Sequence, residues 1–241
     1  MKMYTSDGII FRILKYSETS IICDIYTRAK GLRSFIVAGV RSSKAGSKAA
    51  IYRPLNVVEF VSYDNEHDTL ARIKEIYLKH HFQQINIDVI SSAIAIFMLE
   101  VCRNAIKEKE ANDELYNFVE EWLLYLDIKA NYHSCLHLMF MVELSAYLGF
   151  GPMENYGPQH LYFDMLDGTF CNVASSSEYL LDAEDSLALF QLIRRDRNLI
   201  HDLHLPKQTR IRLTENLIKY YKIHISGFRE LNSFEILKNV L

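Results

Sequence analysis

The sequence is poor in the residues and patterns that usually assign a chemistry. Its four cysteines, Cys23, Cys102, Cys135 and Cys171, stand far apart without a CxxC pair. They offer neither a paired zinc motif nor a disulfide framework, and the expected compartment is a reducing cytoplasm. Only four prolines interrupt 241 residues that are 49% apolar, the composition of an ordered globular chain rather than a disordered or fibrous one. No apolar run approaches the roughly 18 residues of a membrane-spanning helix. Met1 to Asp7 leads into a strand-like segment without an apolar signal core, so no membrane association is expected. GxSxG, the phosphate-loop pattern, HExxH and GxGxxG are all missing, and nothing marks an enzyme.

Charge is unevenly spread. Residues 1–60 hold ten Lys and Arg against four acids, a net of +6, which leaves −9 for the remainder of a chain whose total is −3. A basic first quarter on an acidic body suggests an anionic partner held at one end. A solvated basic loop gives the same count, and charge alone does not separate the two.

Five short strand-like segments follow one another early in the chain: Ile9–Leu14, Ser20–Thr27, Leu32–Val37, Pro54–Tyr63 and Leu70–Leu78. Turn residues separate them, and Gly31 suits a positive φ. Between the third and fourth lies Ala38–Arg53, rich in Gly, Ser, Ala and Lys. The pattern predicts a small barrel, with an OB-fold the leading reading and an SH3-like barrel the alternative. After residue 85 the period becomes helical. Ile90, Ile94, Phe97, Met98, Val101 and Ala105 form one stripe, and further helices are expected from Asn112, around Leu136–Leu148, and over 184–203, 207–225 and 233–241. The expected class is α+β: an OB-fold over residues 1–82 packed on a mainly helical domain over 83–241.

The strongest candidate site is the basic face of the barrel. Arg41, Lys44 and Lys48 stand among small residues that let a backbone approach phosphates, and Arg12, Lys15, Arg28, Lys30, Arg33 and Arg53 extend the set. Phe11, Tyr16, Tyr26 and Phe35 are the candidate base-stacking aromatics, although strand alternation requires some of them to be core. Cations plus aromatic platforms are what single-strand binding needs. The histidines are weaker candidates. His133 and His137 fall at i, i+4 without an acid at metalloprotease spacing, and a polar helix face accounts for them better than a metal site. No metal and no cofactor is expected.

The order of these residues resembles the RecO family. Asp7-Gly8-Ile9-Ile10-Phe11-Arg12 through Tyr16-Ser17-Glu18-Thr19-Ser20 is similar to that family's opening strand and turn. Tyr26-Thr27-Arg28-Ala29-Lys30-Gly31-Leu32-Arg33 is similar to its T-x-x-x-G turn, and Pro54-Leu55 to the entry of its fourth strand. Ala38-Gly39-Val40-Arg41 resembles its K-G-x-R loop, with Ala38 where Lys is usual. Leu144 to Pro152 resembles LLxxLGxxP, and Tyr220 to Leu237 the family's Y…H…LxSxxxL tail. The resemblance implies a recombination mediator that binds and anneals single-stranded DNA, contacts double-stranded DNA, and catalyses no covalent step. It also implies partnership with RecR and the C-terminal tail of single-strand-binding protein, an indirect link to RecA, and a cytoplasmic, nucleoid-associated setting. The tail is expected on the helical domain, near cations such as Arg103, Lys107, Arg194 and Arg195. Many members carry a four-cysteine zinc module after LGxxP. Here only Cys171 remains of the four, so residues 153–182 are expected to be a zinc-less remnant held by Tyr156, Leu161, Phe163 and Phe170. Two rival readings remain: an adaptor whose barrel binds protein instead of DNA, and a hydrolase using His133, His137 and a distant acid.

Overall fold

The computed structural model describes residues 3–40, 46–63, 70–172 and 177–240, without the side chains of 46–48. The chain divides into two compact units, residues 1–88 with 102–127, and residues 89–101 with 128–241. No helix among the described residues is long and apolar enough to cross a membrane.

The first unit is built on a closed barrel of strand order β1-β2-β3-β5-β4. Its strands are β1 (Met3–Lys15), β2 (Ile21–Thr27), β3 (Gly31–Val37), β4 (Val57–Tyr63) and β5 (Ala71–Leu78). Neighbours run antiparallel except β3 and β5, which pair in parallel through Phe35–Ala71 and Ile36–Arg72. This five-stranded closure is the OB architecture. β1 is longer than the period-two pattern predicts because it serves two partners. Met3–Ile9 pairs with β4 and Gly8–Lys15 with β2, with a register irregularity between Ile10 and Arg12.

Alternation fills the barrel. Ile10, Ile21, Cys23, Ile25, Phe35, Val37, Val58, Phe60 and Ile76 point inward, and Phe35 meets Phe60 edge-on at 5.2 Å. Burial, helped by Asp24, pushes the Cys23 thiol up to about 12, which leaves it inert packing. The polar stretch between β3 and β4 is not all loop. It contains α1 (Gly46–Ile51), and its few large apolar residues, Val40 and Tyr52, join the core.

Helix α4 (Asp113–Leu126) belongs to the same unit. Asn112 caps it by accepting from the Leu115 amide at 3.0 Å, and Asp113 and Glu114 suit its positive end. The Asp127 carboxylate accepts from the amides of Gln83 and Ile85, both at 2.9 Å, at the start of the short α2 (Gln84–Ile87). Helix α3 (Val89–Ala105) precedes α4 and contributes residues to both units.

The second unit centres on α5 (Leu136–Tyr147), buried from Leu136 to Val142 as an apolar helix must be. Around it stand α6 (Ala183–Ile193), α7 (Lys207–His224), α8 (Ser233–Val240) and the hairpin β6 (Tyr162–Asp164) and β7 (Thr169–Cys171). The expected helix over 184–203 is interrupted, since Arg197–Asp202 is a separate 3-10 turn whose Asp196 cap accepts from the Asn198 amide. Polar ties fix the packing. Glu100 of α3 caps α8 through the Ser233 amide and hydroxyl, and the buried Asp185 accepts from Arg212 and Asn216.

His137 lies inside this unit. The Thr214 hydroxyl donates to the Arg210 carbonyl at 2.7 Å, so it accepts from the ring Nε2 of His137 at 2.9 Å. Burial and then Arg210 lower its pKa from 6.5 to about 3. The folded protein therefore keeps His137 neutral while the unfolded chain takes up its proton near pH 6.5. Its contribution is present above that pH and is lost as the pH falls toward 3, by up to about 1.4 kcal/mol per pH unit. His137→Gln should flatten the decline in unfolding free energy between pH 7 and pH 4.5. A decline as steep as that of the wild type would contradict this. In the structure Nε2 of His137 meets the Thr214 hydroxyl, and Nδ1 of His133 accepts from the Cys135 amide.

Candidate nucleic-acid interface

The barrel's outer face over β1, β2, β3 and β5 is where the register brings candidate residues together. Arg12 pairs across with Asp24, and Asp24 with Ser34. These three are linked side chain to side chain: Arg12 Nε donates to Asp24 at 2.8 Å and the Ser34 hydroxyl at 2.5 Å. The next row on the same face is Leu14, Ile22, Ile36 and Arg72, one residue from each of the four strands. Leu14 is 41% exposed, Ile22 and Ile36 are half-buried, and Arg72 is exposed. Tyr16 follows the end of β1 and is 57% exposed. Among the described residues, Lys15, Arg53 and Arg72 are exposed cations in no ion pair. The row is an apolar strip ending in a cation, about 15 Å across four strands at ~4.8 Å spacing.

The other half of the face is closed. Tyr26 pairs with Leu32 at the β2–β3 turn. Phe11 stacks on Tyr26 at 5.5 Å, and Tyr26 meets Tyr116 of α4 at 6.0 Å. Arg28 lies 4.5 Å from the Tyr116 ring centre and 3.4 Å from Glu120, with Asp7 and Asp113 at 3.7 and 3.6 Å. Glu120 is 9% exposed and also receives Lys79 at 2.8 Å and His80 at 2.9 Å. Desolvation would lower the Lys79 pKa, but its hydrogen bonds to Asp7 and Glu120 outweigh it and raise the pKa. The segment 106–112 lies beside β3. The Leu32 amide donates to the Glu108 carbonyl and Arg33 to the Lys109 carbonyl, both at 2.8 Å.

Phe11, Tyr26 and Phe35 are at most 1% exposed, so three of the four aromatics proposed to stack on bases are packing residues. The physical reason differs among them. Phe35 alternates into the barrel, whereas Tyr26 points outward, where Tyr116 of α4 meets it and Phe11 stacks on it. Tyr16 alone keeps an accessible ring. Among the cations, Arg28 is a structural hub, Arg33 holds a backbone carbonyl, Lys30 sits 4.5 Å from the Tyr4 ring centre, and Arg12 is offset by Asp24. Lys15 and Arg53 remain available. Arg41 and Lys44, and the Lys48 side chain, lie outside the described residues.

Sequence comparison places this barrel in a known setting. A family model described as recombination protein O, N terminal, matches residues 1–82, and its C-terminal counterpart matches residues 87–232. The DNA repair protein RecO of Bacteroides fragilis is 34% identical over 236 residues, covering 97% of each chain. The chain belongs to the RecO family. Proteins of the same name from Phocaeicola vulgatus and Flavobacterium psychrophilum are 31% and 32% identical, again over 97% of each chain.

The zinc module that the resemblance implies for other RecO proteins does not fit the residues present. Among the described residues, no three His, Cys, Asp or Glu side chains gather as a ligand set. Cys171 stands opposite Tyr162 in the β6–β7 hairpin. Packing occupies the region instead. Asn155 pairs both ways with the Phe170 backbone at 2.9 and 3.0 Å, in the manner of a strand neighbour. Tyr156 stacks on Phe190 at 4.8 Å, and Phe163 contacts Phe170 at 5.0 Å. Leu161, expected to help, is 37% exposed, and Phe190 of α6 takes its place. The sequence reading did not bring Arg72, Leu14, Ile22 and Ile36 together as one row. Their signal was the alternation of β1, β2 and β3 together with the parallel β3–β5 pairing, which a single sequence does not declare.

Proposed function

We propose that this protein acts in DNA repair and recombination by binding single-stranded DNA on the open outer face of its barrel and annealing complementary strands. The observation that carries the reading is the outward row Leu14–Ile22–Ile36–Arg72, exposed at both ends, on an OB barrel of RecO type, with Lys15 and Tyr16 following Leu14 in the chain. Unstacked bases can bury their faces on the apolar strip and on Tyr16 while phosphates meet the cations. A duplex hides its bases and gains only the electrostatic part. No covalent chemistry enters: the protein acts by binding, in the cytoplasm at the nucleoid. The names of its relatives support the repair role.

As a mediator it would work with RecR on strands covered by single-strand-binding protein and act on RecA indirectly. On this reading that protein's acidic tail would dock on the second unit. A pocket between α5, α7 and α8 sets Lys207, Arg210 and Lys238 around Ile211, Phe234 and Leu237, which suits acidic residues followed by an apolar end. These are different cations from Arg103, Lys107, Arg194 and Arg195.

Annealing is the test. The protein should accelerate pairing of complementary oligonucleotides without nucleotide or metal, and the acceleration should fade as salt rises. A rate equal to spontaneous annealing at low salt would favour the adaptor reading instead.

A further inference from the structure

A polar row lies beside the apolar one. Pairing of β1, β2 and β3 sets Arg12, Asp24 and Ser34 side by side, two residues along each strand from Leu14, Ile22 and Ile36, or about 7 Å. Strict alternation would turn Arg12 inward with Ile10. Ile10 lies in the barrel core and Ile13 packs against it, so the register shift between Ile10 and Arg12 resets the alternation and brings Arg12 out opposite Asp24. Both oxygens of Asp24 are spent within the row. Oδ2 accepts from Arg12 Nε at 2.8 Å and lies 2.7 Å from Nη2, and Oδ1 accepts from the Ser34 hydroxyl at 2.5 Å. The Asp24 side chain keeps only 13% of its surface in water, whereas that of Arg12 keeps 44%.

We infer that Asp24, tied down by Ser34, is a positioning residue: it holds the Arg12 guanidinium side-on, so that its outer edge meets a phosphate of a strand whose bases lie on the Leu14–Ile22–Ile36–Arg72 row. The inference rests on the single-strand reading above. A guanidinium is a planar fork that binds through its edges. Asp24 takes the edge formed by Nε and Nη2. Nη1 and the second N–H of Nη2 form the end-on edge, which has no partner among the described residues. That edge matches two phosphate oxygens. A free arginine loses side-chain freedom when it binds, and one already held by Asp24 has lost it beforehand. The pairing cancels the long-range field of Arg12 and keeps its short-range, directed contact. The two rows then suit the two parts of a nucleotide, phosphate on the polar row and base on the apolar one. Such a contact is made to the backbone and carries no sequence preference.

The sign of one substitution separates positioning from simple neutralisation. Asp24→Ala removes an acid beside the strand's path, so electrostatics alone predicts tighter binding. Positioning predicts the reverse. In the full-length protein Asp24→Ala should weaken binding of a single strand of about 16 nucleotides, the upper end of an OB site. The loss should be about three- to tenfold at low salt, the worth of one hydrogen-bonded contact. Arg12→Gln should weaken binding at least as much and reduce the slope of log K against log salt by about 0.7. In the Arg12→Gln background the Asp24→Ala change should no longer weaken binding, because Asp24 acts through Arg12. Arg12→Lys keeps the charge and loses the fork, and should also bind below wild type. It leaves Asp24 and Ser34 in place, so it carries the test even where Asp24→Ala lowers the thermal midpoint. Affinity of folded Asp24→Ala equal to or above wild type, or wild-type affinity of Arg12→Lys, overturns the role of Asp24. The failure of the underlying reading looks different: Arg12→Gln and the joint loss of Lys15, Arg53 and Arg72 would then both leave single-strand binding unchanged.

Discussion

Glu120→Ala should cost the protein about 3 kcal/mol of stability, near the lower end of what breaking a buried ion pair does. The carboxylate is 9% exposed and receives Lys79, His80 and Arg28. Removing it leaves Lys79 and Arg28 facing Asp7 and Asp113 alone at the junction of the barrel with α4, and takes away the carboxylate that His80 meets. The lower end of the range applies because the partners keep about a quarter to a third of their side-chain surface in water. Glu120→Gln retains an acceptor and should lose less. Arg28→Ala should likewise lower the denaturation midpoint while leaving the salt dependence of DNA binding as it is, because its guanidinium is spent on Tyr116, Glu120 and Asp7. Chemical denaturation of the variants checks both. A Glu120→Ala effect within about 0.5 kcal/mol would show that the network is surface decoration.

Phe35→Ala should destabilise by about 3–5 kcal/mol, since its ring is wholly buried against Phe60 and nothing can collapse across a closed barrel to fill the gap. That is a large part of the ~5–15 kcal/mol that holds a typical domain folded. Tyr16→Ala should do the reverse. It should leave stability within about 0.5 kcal/mol and weaken single-strand binding by about 1–3 kcal/mol if one base stacks on it. Thermal unfolding and oligonucleotide titration of the two variants separate a core aromatic from a platform. Equal destabilisation by both substitutions would contradict the assignment.

The barrel was legible in the sequence because period-two alternation and turn residues are local. Cys23, Ile25, Phe35 and Val37 declare their side of the sheet within a few positions. The strand closure was legible only as a fold class, because the parallel contact of β3 with β5 joins residues far apart in the chain. The same limit explains the site. Composition made residues 1–60 look uniformly basic, yet Arg28 is neutralised by Glu120, 92 residues later, and Arg33 is held by the Lys109 carbonyl. Nothing in the local pattern of either arginine distinguishes it from Lys15 or Arg53. Tyr26 shows it most clearly: alternation puts it outward, where an aromatic on an OB face is a natural platform, and α4 then covers it with Tyr116. In the β6–β7 hairpin region the packing by Asn155 and Phe190 depends on partners from separate segments, which no local pattern declares.

The central claim is that single-stranded DNA lies on the open half of the barrel face, and the salt dependence of binding tests it most directly. Removing one cation that neutralises a phosphate should reduce the slope of log K against log salt by about 0.7 for a single strand. The full-length protein with Lys15, Arg53 and Arg72 replaced together by Ala should therefore show a slope shallower by up to ~2 at an unchanged thermal midpoint, because exposed, unpaired charges add little to stability. A wild-type slope in that folded variant would contradict the account and move the DNA to another surface.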